Sequence, residues 1–278
     1  MAITIGLTTW TEHPSLLGGT KKLTLSEYAG FFPVVEVDTA FYAIPKPLVV
    51  HNWRLQVPAS FQFIVKANGI ITKHERVTEF DLPATVNAFR AAFQELHDHG
   101  QLQAVLLQFP PFFTVSRENI LYLRQLRDLF GDWPLTVEWR NNTWYKPALV
   151  KESMLLLQEL HMSLTIADEP ATQGNSVPFY PAVTDQQQAF FRLHGRNLAG
   201  WQNPGAGWRR KRTLYRYNDQ ELHDIAAAVQ KVAAQAQTTT IIFNNNAGGD
   251  AADNALMLQK ILGLSFTDLN PRQLGLDI

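Results

Sequence analysis

The chain has no cysteine, so it can form no disulfide, no thiolate metal site and no cysteine nucleophile, an economy that suits a reducing compartment. No run reaches the about 18 apolar residues of a bilayer-spanning helix. The start, MAITIGLTTW, lacks the basic segment followed by an apolar stretch that marks a secretory signal. These absences lead us to expect a cytoplasmic protein with no membrane partner. Net charge is nearly absent too: 24 Lys and Arg stand against 25 Asp and Glu, giving -1 at pH 7. With no global pull on nucleic acid or anionic lipid, any anion site has to be a local cluster. The sequence contains no Gly-x-Ser-x-Gly elbow, Walker P-loop, dinucleotide fingerprint or HExxH spacing, which removes the serine-hydrolase, P-loop, Rossmann and zincin readings and leaves no nucleotide cofactor motif. Low-complexity tracts, linkers and close repeats are missing as well.

The pattern that remains is apolar and periodic. Hydrophobic residues make up 46% and charged residues 18% of 278, the balance of a compact folded chain. Short apolar runs recur: ITIGLT (Ile3 to Thr8), VVEVD (Val34 to Asp38), FQFIVKA (Phe61 to Ala67), LQAVLLQF (Leu102 to Phe109), LTVEWR (Leu135 to Arg140), MSLTIAD (Met162 to Asp168), FFRLHG (Phe190 to Gly195) and TTIIFNNN (Thr239 to Asn246). Between them lie segments with helical spacing, such as ATVNAFRAAFQELHDHG, closed by Gly100, and SRENILYLRQLRDLFG, opened by Ser116 and closed by Gly131. YNDQELHDIAAAVQKVAAQ and GGDAADNALMLQKIL add two more. Eight strands alternating with helices over this length predict an α/β fold, a closed (β/α)8 TIM-like barrel, with 1–278 as one domain. The stretch Glu169 to Gln188 carries three prolines and predicts an irregular or shortened sixth helix.

In such a barrel, side chains of each strand alternate between the helix-facing outside and the interior. This sorts the charges. In VVEVD, Val35 and Val37 suit the outside, which sends Glu36 and Asp38 inward. LTVEWR by the same parity sends Glu138 and Arg140 inward, and FFRLHG sends Arg192 and His194. Lys66 and Gln108 stand near the ends of their strands. Polar side chains thus gather at the C-terminal end, where the active sites of this architecture lie. Isolated buried charges cost several kcal/mol, so these must pair, meet solvent or hold a ligand.

At this level the ordered set TTW, VEVDTAFY, FIVKA, LLQFPPFF, VEWRNNTWY, FRLHGR and FNNNAGGDAADNA resembles the domain of unknown function 72, or YecE-like, family, over about Ile3 to Leu262. The resemblance implies a TIM-barrel-like fold and supplies no reaction. One departure stands out: TTW occupies a turn where the family often has Ser-Gly-Tyr/Trp.

The residues themselves suggest an enzyme, of hydrolase or isomerase/lyase-type acid–base chemistry, acting on a small, polar, phosphorylated or carboxylated, sugar-like metabolite. Glu36, Glu138, Asp168 and His194 are the candidate catalytic groups. Asp38, Tyr42, Lys66, Gln108, Arg140, Arg192, Arg196, Asn244 and Asn245 are candidate ligand-binding groups, the cations for an anionic group and the amides for hydroxyls or an anion. Lys66 would form a Schiff base if desolvation lowered its pKa. Acids near His194 leave a divalent metal open; only His13, His74 and His194 fall near strand ends on that face. Two alternatives belong to other classes. The segment Gly200 to Asn218 sets Arg209, Arg210, Lys211 and Arg212 among Trp201, Trp208, Tyr215 and Tyr217, the pairing of cations and stacking rings that single-stranded nucleic acid requires, although a lid over the pocket fits it as well. The other is a non-catalytic small-molecule binder whose inward charges form an internal ion-pair network.

Overall fold

The protein is described by a computed structural model covering residues 2–19, 22–75, 81–171, 176–202, 207 and 211–272. Eight parallel strands close a barrel in sequence order: β1 (Ala2–Thr8), β2 (Val34–Val37), β3 (Gln62–Lys66), β4 (Leu102–Gln108), β5 (Leu135–Glu138), β6 (Met162–Asp168), β7 (Gln188–Leu193) and β8 (Thr238–Phe243), with β8 pairing back onto β1. Short helices α1 (Leu25–Tyr28), α2 (Thr39–Tyr42) and α3 (Pro47–Arg54) follow the first two strands. The longer α4 (Leu82–Asp98), α5 (Arg117–Phe130) and α6 (Val150–Glu159) follow β3, β4 and β5. After β7 come α7 (Leu198–Gln202) and α8 (Asp219–Ala233), and after β8 comes α9 (Asp250–Ile261). Between β6 and β7 there is no helix among the described residues, as the prolines of that stretch require.

Local chemistry fixes the helix boundaries. Asp81 caps α4 by accepting from the Ala84 N–H, and Ser116 caps α5 by accepting from Asn119. Asn218 and Glu221 form a reciprocal capping box at the start of α8. The helices then bury one stripe each: Phe89, Phe93 and Leu96 of α4, and Leu123, Leu126 and Phe130 of α5, pack against the outward residues of the strands.

Two separate apolar cores show the strand parity directly. Val35, Val37, Phe63, Val65, Val105, Leu107, Val137, Phe191, Leu193 and Ile241 belong to the large core between barrel and helices. Val34, Ile64, Ala104, Leu106, Phe190 and Ile242 form a small one of their own, a plug inside the barrel. Each inward series continues past the plug toward the C-terminal ends, to Glu36, Lys66, Gln108, Glu138, Arg192, His194 and Asn244. The parallel register sets Thr8 beside Glu36 and Gln108 beside Glu138. A charged layer therefore sits directly on an apolar floor.

Candidate active site

Arg192 occupies the middle of this layer. Its Nε donates to Glu36 Oε2 at 2.7 Å and its Nη2 to Glu36 Oε1 at 2.5 Å, while Nη1 reaches across to Glu138 Oε2 at 2.7 Å. The guanidinium is sealed, with 1% of its residue surface exposed, so β7 is tied to β2 and β5 through the barrel axis. Burial works against the Arg192 charge, but Glu36 and Glu138 outweigh it and push its pKa up. Glu138 also accepts from Gln108 Nε2 at 2.6 Å and makes an ion pair with Arg140 Nε at 2.5 Å. Burial alone would raise the Glu138 pKa; Arg140, Arg192 and His194 together hold it well below the usual carboxylate range.

Arg140 is engaged in the same way. Its Nη1 donates to Glu169 Oε2 at 2.7 Å and its Nη2 lies 3.0 Å from His194 Nε2. His194 Nδ1 lies 2.8 Å from the Asn244 amide nitrogen, and its Nε2 lies 3.2 Å from Glu138 Oε1. Burial, then the adjacent Arg140, drives the His194 pKa down to about 3, so the ring is neutral. Glu169, with a fully buried side chain, accepts from the Val177 N–H at 2.8 Å, and burial raises its pKa to about 7.

On the other side of Arg192 the pairing is incomplete. The Asp38 carboxylate lies beside Glu36, and burial with this second acid raises the Glu36 pKa to about 7 despite Arg192. Asp38 Oδ1 is buried with no hydrogen-bond partner among the described residues. Lys66 Nζ has no hydrogen bond or ion pair with any described residue; it lies 4.4 Å from the centre of the Phe41 ring, and burial lowers its pKa. Four carboxylates (Glu36, Asp38, Glu138, Glu169) face three cations (Arg140, Arg192, Lys66), an excess of one negative charge. One proton held between Glu36 and Asp38 neutralises it, which the raised pKa of Glu36 permits.

The turn after β1 borders this pocket. Thr9 has φ 59°, in the left-handed region that β-branched residues avoid, and its buried Oγ1 has no partner among the described residues. Its N–H donates to the Glu36 carbonyl at 2.8 Å, and Thr8 Oγ1 lies 3.4 Å from Glu36 Oε1. Glycine takes this conformation freely.

Of the residues singled out in the sequence, Glu36, Asp38, Lys66, Gln108, Glu138, Arg140, Arg192, His194 and Asn244 come together in this network. Asp168 does not. Its strand sends Met162, Leu164 and Ile166 outward, and Asp168 shares their parity, which takes it out of the inward layer with the other candidate catalytic groups. It accepts from Arg196 Nε and Nη2 at 3.0 and 2.9 Å and from Tyr217 Oη at 2.7 Å. Arg196 thus fastens the loop after β7 and is engaged there, together with Glu221. Gly195 makes the turn between the two networks: its φ is 86°, and a Cβ at this position would stand 2.4 Å from Tyr215 Cβ, which excludes a side chain. Asn245 is also turned away, its amide donating to the Tyr215 carbonyl and to Asn254 Oδ1 at 2.9 Å each. Tyr42 is 66% exposed on α2, with its ring against Phe41. His13 and His74 bond the Thr8 carbonyl and the Thr72 hydroxyl.

Glu169 carries no signal in the sequence because it opens the irregular stretch, where parity gives no direction. Tyr145 carries none either; its ring packs against Trp139 and Tyr180, and Glu169 and Glu138 lie close enough to add to the upward push of burial on its pKa. Among the described residues, no three His, Asp or Glu side chains converge to hold a metal ion. In the basic aromatic segment, Trp208, Arg209 and Arg210 lie outside the described residues. Tyr217 is buried and so closed to base stacking, while Trp201 packs between Arg140 and Arg212, whose guanidinium carbons lie 5.3 and 4.8 Å from its ring centre. No helix among the described residues is long and apolar enough to cross a membrane.

Known proteins match this chain throughout. The family model for the protein of unknown function DUF72 covers residues 4–275. The UPF0759 protein YunF of Bacillus subtilis is 38% identical over 282 residues, 99% of each chain. A crystal structure of the DUF72 family protein EF0366 of Enterococcus faecalis superposes with a TM-score of 0.93 at 44% identity, covering 98% of this chain and 99% of that one. That of TM1631 of Thermotoga maritima gives 0.80 at 26% identity, covering 95% and 100%.

Proposed function

The chain belongs to the DUF72 family, and we propose that it is an enzyme whose C-terminal barrel mouth moves protons on a small, polar, sugar-like metabolite carrying at most one phosphate or carboxylate. The observation that carries this reading is the asymmetry of the charged layer. Arg140, Arg192, Glu138 and His194 spend their polar groups on one another and act as a rigid frame. The groups beside that frame are not spent: Lys66 Nζ and Asp38 Oδ1 lack hydrogen-bond partners among the described residues, and Glu36 titrates near neutrality. A structural network would have satisfied the buried Asp38 Oδ1, since an unpaired buried polar group costs stability without any return in folding, and the half-buried Lys66 keeps its amine open to a ligand.

Each group has a task in proton transfer. Glu36, whose pKa of about 7 is matched to neutral pH, gives and takes a proton as general acid and base beside Asp38. Arg192 keeps Glu36 oriented. Lys66 is the cation left to meet an anionic or carbonyl oxygen. The full engagement of Arg140 and Arg192 argues against a polyanion, because binding one would strip carboxylates from both guanidiniums.

The test is solvent exchange. The purified protein is incubated in D2O with a panel of phosphorylated and carboxylated sugars, and proton NMR follows loss of C–H signals and appearance of new products. The expected result is deuterium incorporation or turnover with one compound class, reduced at least about a hundredfold in Glu36→Gln, the usual range for loss of a general acid or base. Turnover unchanged in Glu36→Gln would overturn the assignment of the pair.

A further inference from the structure

We infer that Lys66 is a nucleophile toward carbonyl carbon, forming an imine with a small hydroxylated aldehyde or ketone at the barrel mouth. This deepens the proton-transfer reading and rests on it for the location of the site. Three observations place the amine for this work. Lys66 ends β3 on the inward parity, one step beyond Ile64 of the apolar floor, so its side chain rises from the plug rather than from the outer surface. Its Nζ makes no ion pair or hydrogen bond with any described residue, whereas Arg140 and Arg192 in the same layer are paired with carboxylates. Its contact is the face of Phe41, which is itself wedged edge-on by His74 at 5.0 Å.

Burial eases loss of the ammonium proton from Nζ. Burial lowers the Lys66 pKa and the Arg192 guanidinium adds to the lowering, while Asp38, Glu36 and Glu138 work against it. A lysine meant as a plain counter-charge would sit in hydrogen-bonding contact with Asp38, yet no ion pair joins them. The acids that remain within electrostatic reach are those able to manage the protons of imine formation.

The step balances without an oxidant or reductant. Once Nζ has released its ammonium proton to solvent, its lone pair adds to the carbonyl carbon, the C=O π pair moves to oxygen, and one nitrogen proton passes to that oxygen to give a carbinolamine. The Glu36–Asp38 pair donates its proton to the hydroxyl, water leaves, and the nitrogen lone pair closes the C=N bond as a protonated imine. The carboxylate left behind is the base positioned to take a proton from the carbon next to the imine, which links this step to the exchange reaction proposed above. Addition of water reverses the sequence and restores the amine.

Reductive trapping tests it. The full chain at pH 7 is treated with glycolaldehyde or dihydroxyacetone and cyanoborohydride, and peptide mass spectrometry follows the rate of adduct formation at every lysine. The expected result is an adduct on Lys66 that forms at least tenfold faster than on any other lysine, and that disappears in Lys66→Arg while that variant melts normally. Adducts spread over other lysines with Lys66 not favoured would overturn the inference. Should Lys66→Arg keep the solvent exchange of the unmodified protein while Lys66 remains unlabelled, imine formation fails and the proton-transfer enzyme survives. Labelling of Lys66 with no exchange on any substrate would support the amine and sink the proton-transfer reading.

Discussion

Among single residues, His194 shows how much the surroundings outweigh intrinsic chemistry. A free imidazole near pH 6.5 would be an obvious pH-responsive acid–base group, but burial and Arg140 hold this one neutral down to about pH 3. A base whose folded pKa is depressed contributes stability that is present above its unfolded pKa and lost as pH falls through the folded value. The contribution of His194 is therefore complete above about pH 6.5 and declines as pH falls toward 3. Glu36 and Glu169 act in the opposite direction: their raised values favour the fold below the usual carboxylate range, and that advantage is lost as pH rises through about 7. Urea unfolding of the protein and of His194→Asn, compared across pH 3 to 8, isolates the histidine. We expect the stability difference between the two to narrow steadily on acidification; a difference independent of pH would show that the ring titrates in the fold as it does in the unfolded chain. The inward direction of His194 is legible in the sequence. Its protonation state is not, because that depends on Arg140 and Asn244 arriving from other strands.

Among the strands and helices, the eight strands are legible because apolar runs of four to seven residues alternate with capped helices, and the missing helix between β6 and β7 is legible from its prolines. Parity then recovers the inward polar residues on β2, β3, β4, β5 and β7, each flanked by unambiguous outward apolar neighbours. It fails at strand ends. The sequence groups Asp168 with the mouth although Leu164 and Ile166 already fix its side as outward, and Glu169, one residue later, carries the inward ion pair instead. Asn244 and Asn245 look equivalent in a run of asparagines; one holds His194 and the other holds the α8-side loop through Asn254. The turn after β1 offers a prediction of the same kind. Thr9 in the left-handed region costs about 1–2 kcal/mol, and its buried hydroxyl adds to the cost, whereas glycine loses only about 0.5–1 kcal/mol in backbone entropy. Thr9→Gly should therefore raise stability by about 1 kcal/mol in a thermal or urea melt. A lower melting temperature would mean that the Thr9 side chain supports the turn.

The barrel as a whole combines two kinds of charge at its mouth, the sealed Arg192 and the half-buried Lys66. Arg192 joins β2, β5 and β7 through the axis, and its loss leaves Glu36 and Glu138 buried without their shared partner. Lys66 joins nothing by hydrogen bond among the described residues, so a fold built for stability alone has no use for its charge there. Residues kept for chemistry commonly cost stability, and replacing them commonly restores it. The unfolding free energy of Lys66→Met, measured beside that of Arg192→Met at pH 7, separates the two kinds. Opposite signs are expected: Arg192→Met loses about 3–5 kcal/mol, the range for breaking a buried ion pair, while Lys66→Met matches or exceeds the unmodified protein. If Lys66→Met is destabilised as Arg192→Met is, the amine is one more strut of an internal charge network, and the barrel mouth loses the feature that marks it as a working site.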